Sequence, residues 1–154
     1  SALLLGASTN CTGFVGTQVV RPEFTVTTSP QPTCTISATD LDFGVKGVLS
    51  SAITGQSSIG VNCTQGASWS VTLDGGQSGN TAARAMASTA GDKVNYNLYR
   101  DAARASVWGA TTTSQATGTG TGLSQSLAVY GTVPVQSTPK PGTYSDRIVA
   151  TIRY

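Results

Sequence analysis

The chain of 154 residues contains no histidine, which removes the commonest general base and the commonest metal ligand together. Charge is nearly as scarce. Only 10% of residues are charged, against about a quarter in ordinary globular proteins. The net charge of +2 comes from scattered basic residues, so nothing steers the protein toward nucleic acid or an anionic membrane. No apolar run approaches the roughly 20 residues that a membrane-spanning helix needs, and no long helical period appears. Asp40 and Asp42 are the one close acidic pair; flanking Leu41 beside a polar edge, they read as a solvated face rather than a carboxylate dyad. Cys11, Cys34 and Cys63 lie 23 and 29 residues apart, unlike the ligands of a zinc site. The glycine-rich stretches at 74–76 and 118–122 have no helix after them to hold a phosphate. Catalysis, cofactors, metals, nucleic acid and small-molecule substrates are therefore not expected.

What remains is rich in Gly, Ser and Thr and patterned for strands. Leu41, Phe43 and Val45 alternate with polar residues, as do Ile59, Val61 and Cys63, then Trp69, Val71 and Leu73 before an Asp74-Gly75-Gly76 turn. Val94, Tyr96 and Leu98 follow, and Leu127, Val129, Val133 and Val135 resume the period, with Pro134 marking an edge or bulge. Residues 99–104 read as a turn or bulge, and the Thr/Gly tract at 111–122 as an exposed loop or a polar hairpin tip. A final strand is expected over 144–154, with Ile148, Ala150, Ile152 and Tyr154 on one face. About seven short strands without crossover helices predict an antiparallel, Ig-like sandwich. One domain of this length buries a sizeable core.

The stretch at 24–38, FTVTTSPQPTCTISA, stands apart. Phe24, Val26, Thr28 and Pro30 share one parity, a proline-punctuated break follows, and Cys34, Ile36 and Ala38 begin a second alternation. The segment before the break reads either as an N-terminal hairpin of the same sandwich or as a strand that completes another domain. Residues 1–19 open with SALLLGASTN, similar to the end of a signal peptide but without a basic n-region, and are expected to be part of the mature chain. Asn10 before Cys11 does not suit lipid attachment. Three cysteines fit one disulfide formed in an oxidising compartment and one thiol left over. Trp69, Tyr96, Tyr99 and Trp108 could line a sugar-stacking face, although Trp69 and Tyr96 fall on the buried parity of their strands, where aromatics are more often core. The flanks of Trp108 do not settle its direction.

In combination, FTVTTSPQPTCTISATDLDFG, IGVNCTQG, WSVTLDGG, VNYNLYRD, VWG, YGTVPVQ and PGTYSDRIVATIRY, spread over 24–154, resemble the spore coat protein U domain family, which includes subunits of archaic chaperone-usher pili. The resemblance implies an Ig-like sandwich lacking its last strand, with residues 1–33 as an N-terminal extension and 34–154 as the pilin domain. Polymerisation would proceed by donor-strand exchange. The implied donor face is Phe24, Val26, Thr28 and Pro30, with Val20 and Pro22 on the same parity and able to take the deeper pockets in another register. The implied acceptor groove, also the chaperone contact, carries Ile36, Ile148, Ala150, Ile152 and Tyr154. Cys34 and Cys63 match the family's disulfide, which leaves Cys11 free, cross-linking subunits, or paired elsewhere. Implied partners are identical subunits, a periplasmic chaperone and an outer-membrane usher; the implied location is a cell-surface fibre reached through the periplasm, serving adhesion and biofilm formation. The long segment before residue 20 departs from the major pilins and leaves a second reading, the pilin domain of a two-domain tip adhesin. A non-polymerising secreted coat or carbohydrate-binding sandwich is the third.

Overall fold

The computed structural model describes residues 21–154. The chain forms two units, Ser1–Pro30 and Gln31–Tyr154. In the first, residues 21–30 are exposed and have no regular secondary structure, with Phe24 and Val26 at 86% and 82% exposure. Val20 and Cys11 lie outside the described residues.

The second unit is all-β. Its strands are β1 (Cys34–Ala38), β2 (Ile53–Cys63), β3 (Ser68–Leu73), β4 (Arg84–Ala87), β5 (Lys93–Tyr99), β6 (Ala116–Thr119), β7 (Ser124–Val133) and β8 (Ala150–Arg153), with one 3₁₀ turn at Gly76–Ser78. All pairings are antiparallel and form two sheets, ordered β1-β2-β7-β5-β4 and β6-β3-β8. The period-2 patterns dictate what they enclose. Ile59, Val61 and Cys63 of β2, Trp69, Val71 and Leu73 of β3, Val94, Tyr96 and Leu98 of β5 and Val129 and Val133 of β7 all turn inward and are buried. Their alternate neighbours are polar, so each sheet has one dry and one wet face.

Four local readings change. Leu41 and Phe43 do pack inward, but 41–45 is not a strand. The Asp42 carboxylate accepts the Gly44 N–H at 2.7 Å and Gly44 adopts φ +70°, an Asx-type turn that breaks the alternation and leaves Val45 in solvent. Pro134 ends β7, and Val135 is exposed. The 111–122 tract is not loop throughout, because β6 pairs with β3 from Ser68↔Thr119 to Val71↔Ala116. Its Gly118 lies against the Trp69 ring, where a Cβ would collide, so the glycine that looked like a loop signal is a packing requirement. Lastly, the C-terminal ladder covers only Ala150–Arg153; residues 144–149 are held instead by a bridge between Ala87 and Ser145 and by bonds to Asp74.

A groove between two free strand edges

Within the described residues, β1 ends the five-stranded sheet and β8 ends the three-stranded sheet, each with one neighbour only. Strand geometry says which groups they offer. The Thr39 N–H bonds the Ser58 carbonyl and the Thr64 N–H bonds the Thr33 carbonyl, so odd residues of β1 pair with β2. The backbone groups of Cys34, Ile36 and Ala38 therefore face the other way. Likewise the Asp74 N–H bonds the Val149 carbonyl and Thr72 stands opposite Thr151, which turns the backbone groups of Ile148, Ala150 and Ile152 to the free edge of β8. Two rows of donors and acceptors thus flank one opening.

Between them runs a groove of about 450 Å³, walled by residues 38–43 on one side and 144–150 on the other. Its floor is the core itself: Ile59, Leu73, Met86, Leu98 and Val129. Ile36, Leu41, Phe43, Ile148, Ala150 and Ile152 pack against that core yet are only half-buried. This is where the two sheets fail to close. One end of the groove is shaped by glycine: Gly55 and Gly131 are directly paired across β2 and β7, and Leu41 and Phe43 lie on them, 2.8–3.3 Å from where Cβ atoms would be. Phe43 meets Tyr96 edge-on at 6.3 Å between ring centroids. The other end of the groove is at Ala38 and Ala150; beyond it β1 runs back to the Cys34–Cys63 disulfide, which joins facing residues of β1 and β2. The far end of β8 is there as well, since Arg153 pairs with Ser70 and the neighbouring Trp69 bonds Gln125 at 3.3 Å.

The groove carries a polar spot at Tyr96 and Asp146. The Tyr96 hydroxyl donates to the Asp146 Oδ2 at 2.7 Å, while Asp146 Oδ1 accepts the Gln77 and Arg147 N–H groups at 2.9 and 2.8 Å. Burial first, and then the bond to Asp146, push the Tyr96 phenol well above its ordinary range. Behind it, Arg84 is wholly buried. Its guanidinium donates to the carbonyls of Asp74, Thr81, Leu73 and Trp108 and to the Asn97 side chain. Burial lowers its pKa, opposed by Tyr96, Asp74 and Asp146. Arg84 ties three segments of the core to one cation. Nothing in its sequence context announces that, because a lone Arg between alanines reads as surface.

The LYRD segment also acquires a physical role. Asp101 accepts the Ser106 and Ala105 N–H groups at 2.7 and 3.0 Å, bonds that hold its carboxyl below its usual pKa. Arg104 takes the left-handed conformation, φ +56°. The tight turn returns the chain so that Trp108 N–H bonds the Leu98 carbonyl, and the indole N–H donates to the Val71 carbonyl at 2.9 Å. Arg100 reaches to the carbonyls of Gln115 and Thr113, pinning the 111–115 loop. LYRD therefore plants Trp108 between the sheets.

The remaining expected residues fall as follows. Ile148 and Ala150 line the groove, Ile36 and Ile152 are half-buried against the core outside its lining, and Tyr154 is 60% exposed. Asp40 borders the groove and Asp42 serves the Gly44 turn. The four aromatics do not share a face, for Trp69, Tyr96 and Trp108 are buried and Tyr99 pairs with Tyr130 across β5 and β7. Among the described residues, no three His, Cys, Asp or Glu side chains gather as a metal site, and no helix is long and apolar enough to cross a membrane.

This Ig-like sandwich is similar in fold to a solved chaperone-usher pilus protein. Residues 21–151 match the Spore Coat Protein U domain, and the chain belongs to that family. It is 37% identical over 119 residues to Protein U of Myxococcus xanthus, covering 71% of this chain and 65% of that protein. It is also similar to a chain in the solved CsuC-CsuE chaperone-tip adhesion subunit pre-assembly complex from archaic chaperone-usher Csu pili of Acinetobacter baumannii, at 26% identity and a TM-score of 0.59. That likeness covers 80% of this chain and 40% of the other. The chain thus spans under two thirds of the length of each relative. The family is structural rather than enzymatic.

Proposed function

We propose that this protein is a polymerising subunit of an archaic chaperone-usher fibre, in which the N-terminal segment of one copy fills the groove of the next. The observation that carries this reading is the pair of free edges, β1 and β8, on either side of a core left open to solvent. An inserted strand would gain a ladder on both sides and cover the half-buried apolar rim, which is β-augmentation combined with core completion. The donor is the alternating segment carrying Phe24, Val26, Thr28 and Pro30, continued on the same parity by Val20 and Pro22. Two large donor side chains contribute roughly 1.5–3 kcal/mol each when fully buried, and each ladder hydrogen bond about 0.5–1.5 kcal/mol.

Before insertion the same groove is the docking place for a periplasmic chaperone, and an outer-membrane usher exports the fibre to the cell surface for adhesion and biofilm formation. The likeness to a tip subunit of which this chain spans 40% favours one second reading, the pilin domain of a two-domain tip adhesin. A denaturing gel of the purified full chain, unboiled and boiled, with and without reductant, tests the first. A ladder that survives cold detergent and collapses on boiling without reductant is expected. A ladder that requires reductant would assign assembly to Cys11 instead, and monomer in every lane would overturn the fibre reading.

A further inference from the structure

We infer that Asp146 is the positioning residue of the proposed acceptor, its carboxylate holding residues 144–149 as the wall that keeps the core open to a strand; this rests on the strand-donation reading.

The sequence sets Asp146 where a carboxylate is out of place. Tyr144, Asp146, Ile148 and Ala150 share the inward parity of the C-terminal segment, and all are half-buried along the groove. A charge on that parity is costly unless donors meet its oxygens. Here three do so. Oδ2 accepts the Tyr96 hydroxyl at 2.7 Å, and Oδ1 accepts the Gln77 and Arg147 N–H groups at 2.9 and 2.8 Å. The buried Arg84 adds the opposite charge. Gly76 makes room for the group, since it adopts φ +58° and a Cβ on it would fall on the Asp146 carboxylate.

What the carboxylate holds has few other attachments. Among the described residues, 146–149 belong to no strand ladder, lying between the Ala87–Ser145 bridge and the start of β8 at Ala150. The Gln77 side chain donates to the Ser145 carbonyl at 3.1 Å. The Val149 N–H donates to Asp74 Oδ1 at 3.0 Å, and its carbonyl accepts the Asp74 N–H at 3.1 Å. Tyr96 lies on β5 of one sheet, whereas Gln77 sits in the turn that follows β3 of the other. One side chain thus ties the wall to both sheets where they fail to close. A segment held mainly by side chains opens locally, without the strands on either side of it. Once it swings away, Ile148 and Ala150 leave the rim, and the floor at Leu73, Met86 and Tyr96 has no wall. Asp146 therefore sets the fraction of molecules whose groove is formed, and capture of a strand scales with that fraction.

The test compares the full chain, in a Cys11→Ser background, with Asp146→Ala, Asp146→Asn and Val133→Ala, the last a core truncation outside the groove lining. Amide hydrogen exchange is followed on freshly refolded protein, and growth of the cold-detergent gel ladder on the same preparation. In Asp146→Ala, exchange is expected to rise about tenfold at Ala87, Ser145 and Val149, whose bonds go to other partners, as well as at Gln77 and Arg147. Ladder growth slows by a similar factor. Asp146→Asn keeps the shape and an acceptor oxygen and restores most of both, while Val133→Ala lowers stability without the local pattern. A rise confined to Gln77 and Arg147 would overturn the inference, because the wall would then stand without the carboxylate. So would ladder growth that Asp146→Ala slows no more than Val133→Ala does, a result that leaves strand donation standing. Absence of any ladder from the parent defeats strand donation and the use assigned to the wall, and the exchange pattern then reports separately whether Asp146 holds it.

Discussion

The Arg84 guanidinium and the Trp108 carbonyl are joined by a 2.7 Å hydrogen bond inside the sandwich. The same cation binds the Asp74 carbonyl at 2.9 and 2.7 Å and the Asn97 side chain at 2.8 Å, so it fastens the turn after β3 and the return of LYRD to β4 and β5. Arg84→Met leaves several buried acceptors unpaired, each costing about 1–3 kcal/mol. A large fall in the urea midpoint is expected, with the slope unchanged. Arg84→Lys keeps the charge but not the planar fork and recovers only part of the loss.

Replacing Gly131 tests how the groove end is built. A Cβ there sits 2.8 Å from Leu41 Cδ1 and 2.9 Å from Phe43 Cζ, so Gly131→Val forces both side chains off the sheet at about 1–3 kcal/mol. Urea unfolding of Gly131→Ala, Leu41→Ala and the double variant gives the coupling. Trimming Leu41 makes the added methyl cheaper, and strictly additive losses would contradict the contact.

Alkaline unfolding reads the Tyr96–Asp146 pair. Because the folded-state phenol pKa is raised above an unfolded value of about 10, the unfolded chain holds fewer protons than the folded one above that pH. Tyr96 therefore gives a stability contribution that is complete below about pH 10 and declines as pH rises beyond it. Tyr96→Phe should flatten this decline relative to the parent in denaturation curves taken from pH 8 to 11.

Ile152 borders the open side of the core on β8 and is half-buried. Ile152→Asp puts a charge where the proposed chaperone or donor strand would insert, and no partner compensates it. Co-expression with the chaperone is expected to recover no complex and to give a depleted periplasmic pool. A normal yield of this variant would count against the groove as the capture site.

The fold was legible wherever an apolar period faced a core, as in 59–63, 69–73 and 94–98. It was illegible where glycine served packing instead of turning: β6 hid inside a Thr/Gly tract because Gly118 makes room for Trp69. The Leu41, Phe43 and Val45 alternation misled for the opposite reason, since an Asp42 turn interrupts it after two inward residues. For the groove, the inward residues of 148–152 could be read from parity alone, but its floor and polar spot could not. Met86, Tyr96 and Asp146 come from distant segments, and Arg84 matters through carbonyls that any sequence would provide.

A core left open between β1 and β8 has a further consequence under the proposed strand donation. The rim formed by Ile36, Ile148, Ala150 and Ile152, half-buried in the single chain, would then be covered by a neighbour, and mass action would govern that part of stability as it governs ligand binding. On that reading the melting temperature rises with protein concentration, with no change in the chain's own sequence or fold.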